Sequence, residues 1–392
     1  MINQRMMGLG KEPSAIRQLY AYGLERKAVV GDENVYDLSI GNPSIPAPES
    51  VRTRIEKLLE MAPEVLHGYS MSAGLTETRQ AVADNLKARF GIEATASNVY
   101  MTSGATSALA IVFNALTNPG EEVIVNAPYF PEYKVLSETA GAVCVEVLVR
   151  PDNFQLDIEA ISRAMTPKTA LVVVNSPNNP VGCVYTAETM RSLGEMMAAK
   201  EEEYGHPIYL ISDEPYREIT YGAEVPFSAN YYRDTVVCYS WAKSLSLPGE
   251  RIGYIYVSNA IPDDADVFAT VSGAGRALGN VCAPVLFQRV IQTCIDEPAN
   301  VDAYARNREI LTQGLDELGF EYIQPDGAFY LWVKALEDDA QAFSDKAKAH
   351  DLLIVASNSF GCGGWVRASY CVSEECVRGS LKGWAALKAD YE

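Results

Sequence analysis

Six short segments in the middle of the chain are apolar at nearly every position rather than at every second one: residues 122–126, 142–148, 170–174, 208–212, 235–240 and 252–257. Runs this rich in Val and Ile leave no face for water. They predict strands covered on both sides, as in a mainly parallel sheet held between helices. The stretches between them, such as 186–204 and 133–140, carry helical patterns. This alternation predicts an α/β layered domain over residues 46–285. After a helical passage from about 285 to 318 the pattern changes to short strands at 321–323, 328–333, 352–355 and 365–370, separated by helices. That reads as a smaller α+β domain, formed by residues 1–45 together with 286–392.

The chain has 392 residues, 48% hydrophobic and 21% charged, enough to bury a large core and to exclude wholesale disorder. Its net charge of −19 repels phosphate backbones and anionic membranes, so nucleic acid and membrane surfaces are poor partners. A run of 18 apolar residues is missing, and residues 1–11 hold neither an apolar signal core nor a small-residue cleavage site. A cytoplasmic globular protein is expected. The eight cysteines are scattered with no C-x-x-C pair, and His67, His206 and His350 lie far from them in sequence, so no metal site is expected. Cys144 and Cys238 lie in apolar runs and read as small core residues of a reducing compartment.

Chemistry concentrates in a few polar segments that follow the strands. In 240–253, Lys243 comes just after a buried run. Burying an ammonium is costly unless its pKa falls or it forms a neutral bond, and a Schiff base to a carbonyl group is one answer. Lys243 could equally cap the strand or reach solvent. Arg251 and Ser240 suit a phosphate. Asn175 to Gly182 (N-S-P-N-N-P-V-G) follows one strand and Ser212 to Tyr216 (S-D-E-P-Y) follows the next, placing polar groups at the carboxyl ends where open α/β sheets bind ligands. Asn-Pro pairs are also ordinary turn chemistry, and Asp213 also reads as a helix N-cap.

Together these segments are similar to the pyridoxal-phosphate-dependent aminotransferases of fold type I, class I/II, from about Leu38 to Arg367 and in the order of that family. The resemblance implies a large domain with a mainly parallel sheet between helices, a smaller α+β domain, and pyridoxal 5'-phosphate as cofactor. It implies that Lys243 forms the Schiff base and then moves a proton, that Asp213 pairs with the pyridinium nitrogen, and that Tyr216 and Asn179 bond the phenolic oxygen. Met101 to Leu109 matches the phosphate-cradling turn, with Ala105 and Thr106 as donors beside Ser240 and Arg251. Asn126 to Tyr133 matches the segment whose aromatic stacks on the ring, which selects Phe130 over Tyr129; both could otherwise simply pack in the core. Tyr69 matches a tyrosine that reaches the neighbouring subunit's cofactor, implying a homodimer with shared sites. Gly41 lines the substrate pocket, and Arg367 grips the α-carboxylate through its planar fork, unless it serves a structural ion pair.

The resemblance thus implies transfer of an amino group from an L-amino acid to a 2-oxo acid. A β-lyase or decarboxylase on the same scaffold is the alternative, because cofactor residues do not separate these reactions. Ala242 and Val181 replace residues common in the family without removing a catalytic group. An aspartate-using branch carries a lysine where Thr106 stands. Another branch uses an arginine from the partner subunit, and Arg276 falls near that place, suggesting a dicarboxylate specificity.

Overall fold

The computed structural model describes residues 2–392. In chain order its strands are β1 Tyr36–Asp37, β2 Val99–Thr102, β3 Glu122–Ala127, β4 Val143–Leu148, β5 Thr169–Asn175, β6 Tyr209–Asp213, β7 Thr235–Ser240, β8 Gly253–Val257, β9 Tyr322–Ile323, β10 Tyr330–Lys334, β11 Leu352–Leu353, β12 Val355–Ala356 and β13 Trp365–Ser369. Seven of them form one sheet in the order β2-β8-β7-β6-β5-β3-β4. Strand β8 runs against both its neighbours, so the other six are mutually parallel and their carboxyl ends share one edge.

All six expected strands form, each within two residues of the expected bounds. Their continuous apolar character has the expected cause: successive residues face different cores. Val123 and Val125 pack with Leu109, Val112 and Phe113 of the helix Ala105–Leu116. Ile124, Val172 and Val174 face the other way, onto Met190, Leu193 and Met197 of the helix Ala187–Tyr204. The edge strand β4 is the exception, with Val143 and Leu148 exposed. Strand β2 is not among the expected runs, because its four residues are too few to show a pattern.

The second sheet is antiparallel, in the order β12-β13-β10-β9, with β1 and β11 paired beside it. The helices Val301–Glu317, Ala340–Ala349 and Glu374–Ala389 cover it through Leu311, Leu315, Phe343, Ala347 and Trp384. The helical passage after 285 is two helices, and the first, Val285–Cys294, packs on Val51, Val82 and Leu86 beside the large sheet.

At the start of the chain, the helix Gln4–Lys11 rests on the helix Glu132–Thr139. Arg5 reaches Glu138 Oε2 at 3.2 Å and the carbonyl oxygens of Val135 and Glu138. The next helix, Ala15–Val30, sits instead on the smaller sheet side, where Arg26 pairs with Asp351 at 2.6 Å and Lys27 with Asp37 at 3.7 Å.

Gly194, inside the helix Ala187–Tyr204, faces the backbone of Tyr231, and a Cβ there would lie 2.2 Å from that carbonyl oxygen. A Gly194→Ala substitution should therefore lower stability by about 1–3 kcal/mol from overpacking. It does so although alanine is intrinsically the better helix former by about 1 kcal/mol. Urea titration checks this; an unchanged or raised midpoint would contradict the packing described.

Candidate active site

The carboxyl ends of the large sheet and the edge of the smaller one enclose a cavity of about 600 Å³. Register explains which side chains meet there. Asn175 and Asp213 are opposite each other at the ends of β5 and β6. Ser240, Gly253 and Thr102 stand in one row across β7, β8 and β2. Lys243 follows β7 in the four-residue helix Trp241–Ser244.

Asp213 is buried, and its Oδ2 accepts the hydroxyl hydrogen of Tyr133 at 2.6 Å. Its Oδ1 has no protein partner. Burial pushes its pKa up to about 7 despite the Tyr133 bond, with the Glu214 charge adding to the rise. Asn175 steadies the strand end by donating to the Asp213 carbonyl at 2.7 Å. Lys243 donates to the carbonyl of Gly41, and burial lowers its pKa to about 8, with Arg367 and Arg251 pushing the same way and Cys371 opposing them.

The helix Ala105–Leu116 begins at Gly104 with no side-chain cap, so its first N–H groups are free toward the cavity. Gly104 has φ 88°, and a Cβ there would lie 2.6 Å from Arg251 Nη2. Only glycine allows this guanidinium so close to the helix start. The resulting cradle suits an anion. The Ser240 hydroxyl is already engaged: it donates to the Ile252 carbonyl at 3.2 Å and accepts from the Ala242 amide.

Arg367 is the most unusual group. It lies in the middle of β13 opposite Trp332, is 1% exposed, and has no carboxylate partner among the described residues. Nη1 donates to Asn179 Oδ1 at 2.9 Å and Nη2 to the Ser39 carbonyl, while Nε bonds nothing. Its face lies over the rings of Tyr330 (4.5 Å) and Phe360 (5.1 Å). Burial lowers its pKa, yet a guanidinium stays charged. Among the described residues, the alternative of a structural ion pair for Arg367 finds no acid.

Of the residues singled out from sequence, Gly41, Ala105, Thr106, Phe130, Asn179, Asp213, Tyr216, Ser240, Lys243, Arg251 and Arg367 all line the cavity. Tyr129 is buried away from it against Tyr133, whereas Phe130 faces it. Tyr216 shares a hydrogen bond with Tyr330 at 2.8 Å, a cavity residue that sequence reasoning missed together with Tyr133. Tyr133 stood inside a quoted motif, but nothing in its spacing ties it to Asp213. Tyr69 and Arg276 do not line this cavity; both are exposed.

The family model "Aminotransferase class I and II" matches residues 33–381. The chain belongs to this family. Among its relatives, a probable aspartate/prephenate aminotransferase of Thermus aquaticus is 32% identical over 98% of both chains. An aspartate aminotransferase of Thermotoga maritima is 29% identical over 89% of this chain and 90% of the other. Among solved structures, an amino transferase of Eubacterium rectale has a TM-score of 0.97 at 50% identity, covering 100% of this chain and 99% of that one. A Thermus thermophilus aspartate aminotransferase solved with maleate has a TM-score of 0.87 at 29% identity, covering 99% of each. The protein is therefore an aminotransferase of fold type I, and these likenesses lend nothing to the lyase or decarboxylase alternative.

In this aminotransferase the raised pKa of Asp213 has a thermodynamic consequence. Between the ordinary carboxyl value of 3.8 and about 7, the folded chain holds a proton that the unfolded chain has released. Stability thus falls as pH rises through this window. In protein stripped of small ligands, Asp213→Asn should flatten that part of the profile, as read by urea midpoints between pH 4 and 8. Equal slopes for both proteins would show that Asp213 is not desolvated as described.

Proposed function

We propose that the cavity holds pyridoxal 5'-phosphate and that the enzyme moves the amino group of an L-amino acid to a 2-oxo acid in two half-reactions. One observation carries the reading: a buried, acid-free guanidinium, Arg367, shares a cavity with a desolvated lysine and a carboxyl group that has a free oxygen. The residues present fit the cofactor. The orphaned Asp213 Oδ1 suits a ring N–H, and the Gly104–Arg251 cradle at an uncapped helix suits a phosphate.

When bound, the group supplies an electrophilic carbon and an electron-withdrawing ring. Lys243 would hold it covalently through its amine. Once released, that amine would carry the proton to and from the substrate Cα, a task that suits a base near pKa 8. Asp213, held by Tyr133, would accept from the ring nitrogen. Tyr216 and Asn179 would donate to the phenolic oxygen, and Phe130 would cover a ring face. Ala105, Thr106 and Arg251 would bind the phosphate. Ser240 would join them only by giving up its Ile252 bond. Arg367 would take the substrate α-carboxylate in two parallel bonds, with Asn179 and Gly41 beside it, and so fix the direction of the Cα–H bond.

The same reading makes the enzyme a homodimer. Tyr69, 99% exposed and outside its own cavity, would serve the partner's. It divides the chain into a cofactor domain of residues 46–285 and a small domain of 1–45 with 286–392, although the helix Val285–Cys294 packs with the former. A cytoplasmic setting suits eight cysteines that form no disulfide. Relatives named for aspartate favour acidic substrates. Arg276 would act on such a side chain only from the partner's cavity. Among the described residues, no helix is long and apolar enough to cross a membrane.

The test is the visible spectrum of purified protein supplied with the cofactor, before and after single L-amino acids. The expected result is an absorbance band that a donor discharges and a 2-oxo acid restores. Lys243→Ala should abolish the cycle. Arg367→Ala should cut kcat/KM by about 10- to 100-fold, the size of a lost charge-assisted hydrogen bond. A persistent band with release of ammonia or carbon dioxide would mean a lyase or decarboxylase; no band at all would refute the assignment of Lys243.

A further inference from the structure

Tyr216 and Tyr330 both line the cavity, and their hydroxyl oxygens lie 2.8 Å apart. Among the described residues neither hydroxyl has another hydrogen-bond partner, and either oxygen can be the donor. Two hydroxyls carry two hydrogens, of which their shared bond uses one. The pair therefore has two arrangements. If Tyr216 donates, the spare hydrogen is on Tyr330; if Tyr330 donates, the spare hydrogen is on Tyr216.

The rings themselves are fixed. Tyr330 opens β10 opposite Ser369 of β13. The Tyr216 ring stands edge-on to Phe329 and Tyr330, with centroids 5.5 and 5.6 Å away. Gly41 closes the remaining side, and a Cβ there would collide with the Tyr330 hydroxyl oxygen. Packing does not require that hydroxyl. Phenylalanine would make the same ring contacts, and Arg367 needs only the ring face, 4.5 Å away. The fold thus keeps room for an oxygen whose one partner is Tyr216.

We propose that Tyr330 is a positioning residue: by donating to Tyr216 it turns the spare hydrogen of the pair onto the cofactor's phenolic oxygen and strengthens it as a donor. This rests on the cofactor reading above. An anionic oxygen beside Tyr216 selects this arrangement, because the other sets a lone pair against it. Bonds in such a chain polarise one another, by about 10–30% each. A stronger donor weakens the phenolic oxygen's hold on a proton shared with it.

The test is a pH titration of the visible band of the cofactor-loaded enzyme without substrate, between about pH 5 and 10. Wild type, Tyr330→Phe, Tyr216→Phe and the double variant are compared. Arg367 of β13, Asp213 of β6, Cys371 just past β13 and Lys243 beside Gly41 are the charged or titratable groups around the pair, and all four proteins retain them. Tyr330→Phe should raise the midpoint by about 0.2–0.5 pH unit, and Tyr216→Phe should raise it further. Once Tyr216 is replaced, Tyr330→Phe should add nothing, the coupling expected of two groups acting in series. Urea midpoints of the cofactor-free proteins report any purely structural effect. A Tyr330→Phe protein that loses stability yet titrates as wild type would overturn the proposal. So would a lowered midpoint, or an equal shift with and without Tyr216. A wild-type protein that shows no visible band would refute the cofactor reading itself, and this proposal with it.

Discussion

A guanidinium that the fold buries without an acid sets the terms for the rest of this structure. Arg367 is held in β13 because its neighbours Val366 and Ala368 are needed on the opposite face, in the core of the smaller sheet. Strand alternation then delivers the charge to the cavity side. Water is largely removed there, and an amide oxygen, one backbone carbonyl and two ring faces replace only part of it. Leaving a buried cation under-satisfied costs free energy that a well-packed apolar residue would not. The cost makes sense only if an anion completes the shell, which is why this residue says more about function than any glycine turn does.

Asp213 and Lys243 follow the same logic with opposite sign. Each is moved toward neutrality by burial: the acid upward to about 7, the base downward to about 8. Their titrations therefore converge near physiological pH, though they started far apart. An active site that must hold and move protons gains from this, since neither group is locked in one state. Behind them, the buried Arg217 is matched by Glu214 and Glu218, charge against charge, as the cavity groups Asp213, Lys243 and Arg367 are not.

Much of this was legible in the chain itself. Runs such as Thr235–Ser240 show their two-sided burial directly, and Lys243, Asp213, Asn179, Arg251 and Arg367 stand in motifs whose order reveals the family. What was illegible depends on folding that brings distant residues together. Tyr133 meets Asp213 across 80 positions, and Arg17 comes to the cavity from a helix whose sequence pattern says nothing of it. Ser240 shows a different limit: its motif foretells a residue of the cavity wall, but not that the neighbouring Ile252 carbonyl competes for its only hydrogen. The break within 285–318 lies at residues 295–300, where Pro298 and the residues around it interrupt an otherwise helical composition.

The first thirty residues cross from one sheet system to the other. One helix is tied to the large sheet's flank by Arg5, the next to the smaller sheet by Arg26 and Lys27, and only Glu12, Pro13 and Ser14 separate them. Three extended residues span about 10 Å at most. The segment is a strut of fixed reach, so any separation of the two sheet systems beyond a few ångströms must first break the Arg5 anchorage. That anchorage is an exposed pairing worth only about 0–1 kcal/mol. Ser14 and Arg17 sit at the strut's far end, so their distance from the cavity floor is governed by a weak latch remote from the chemistry.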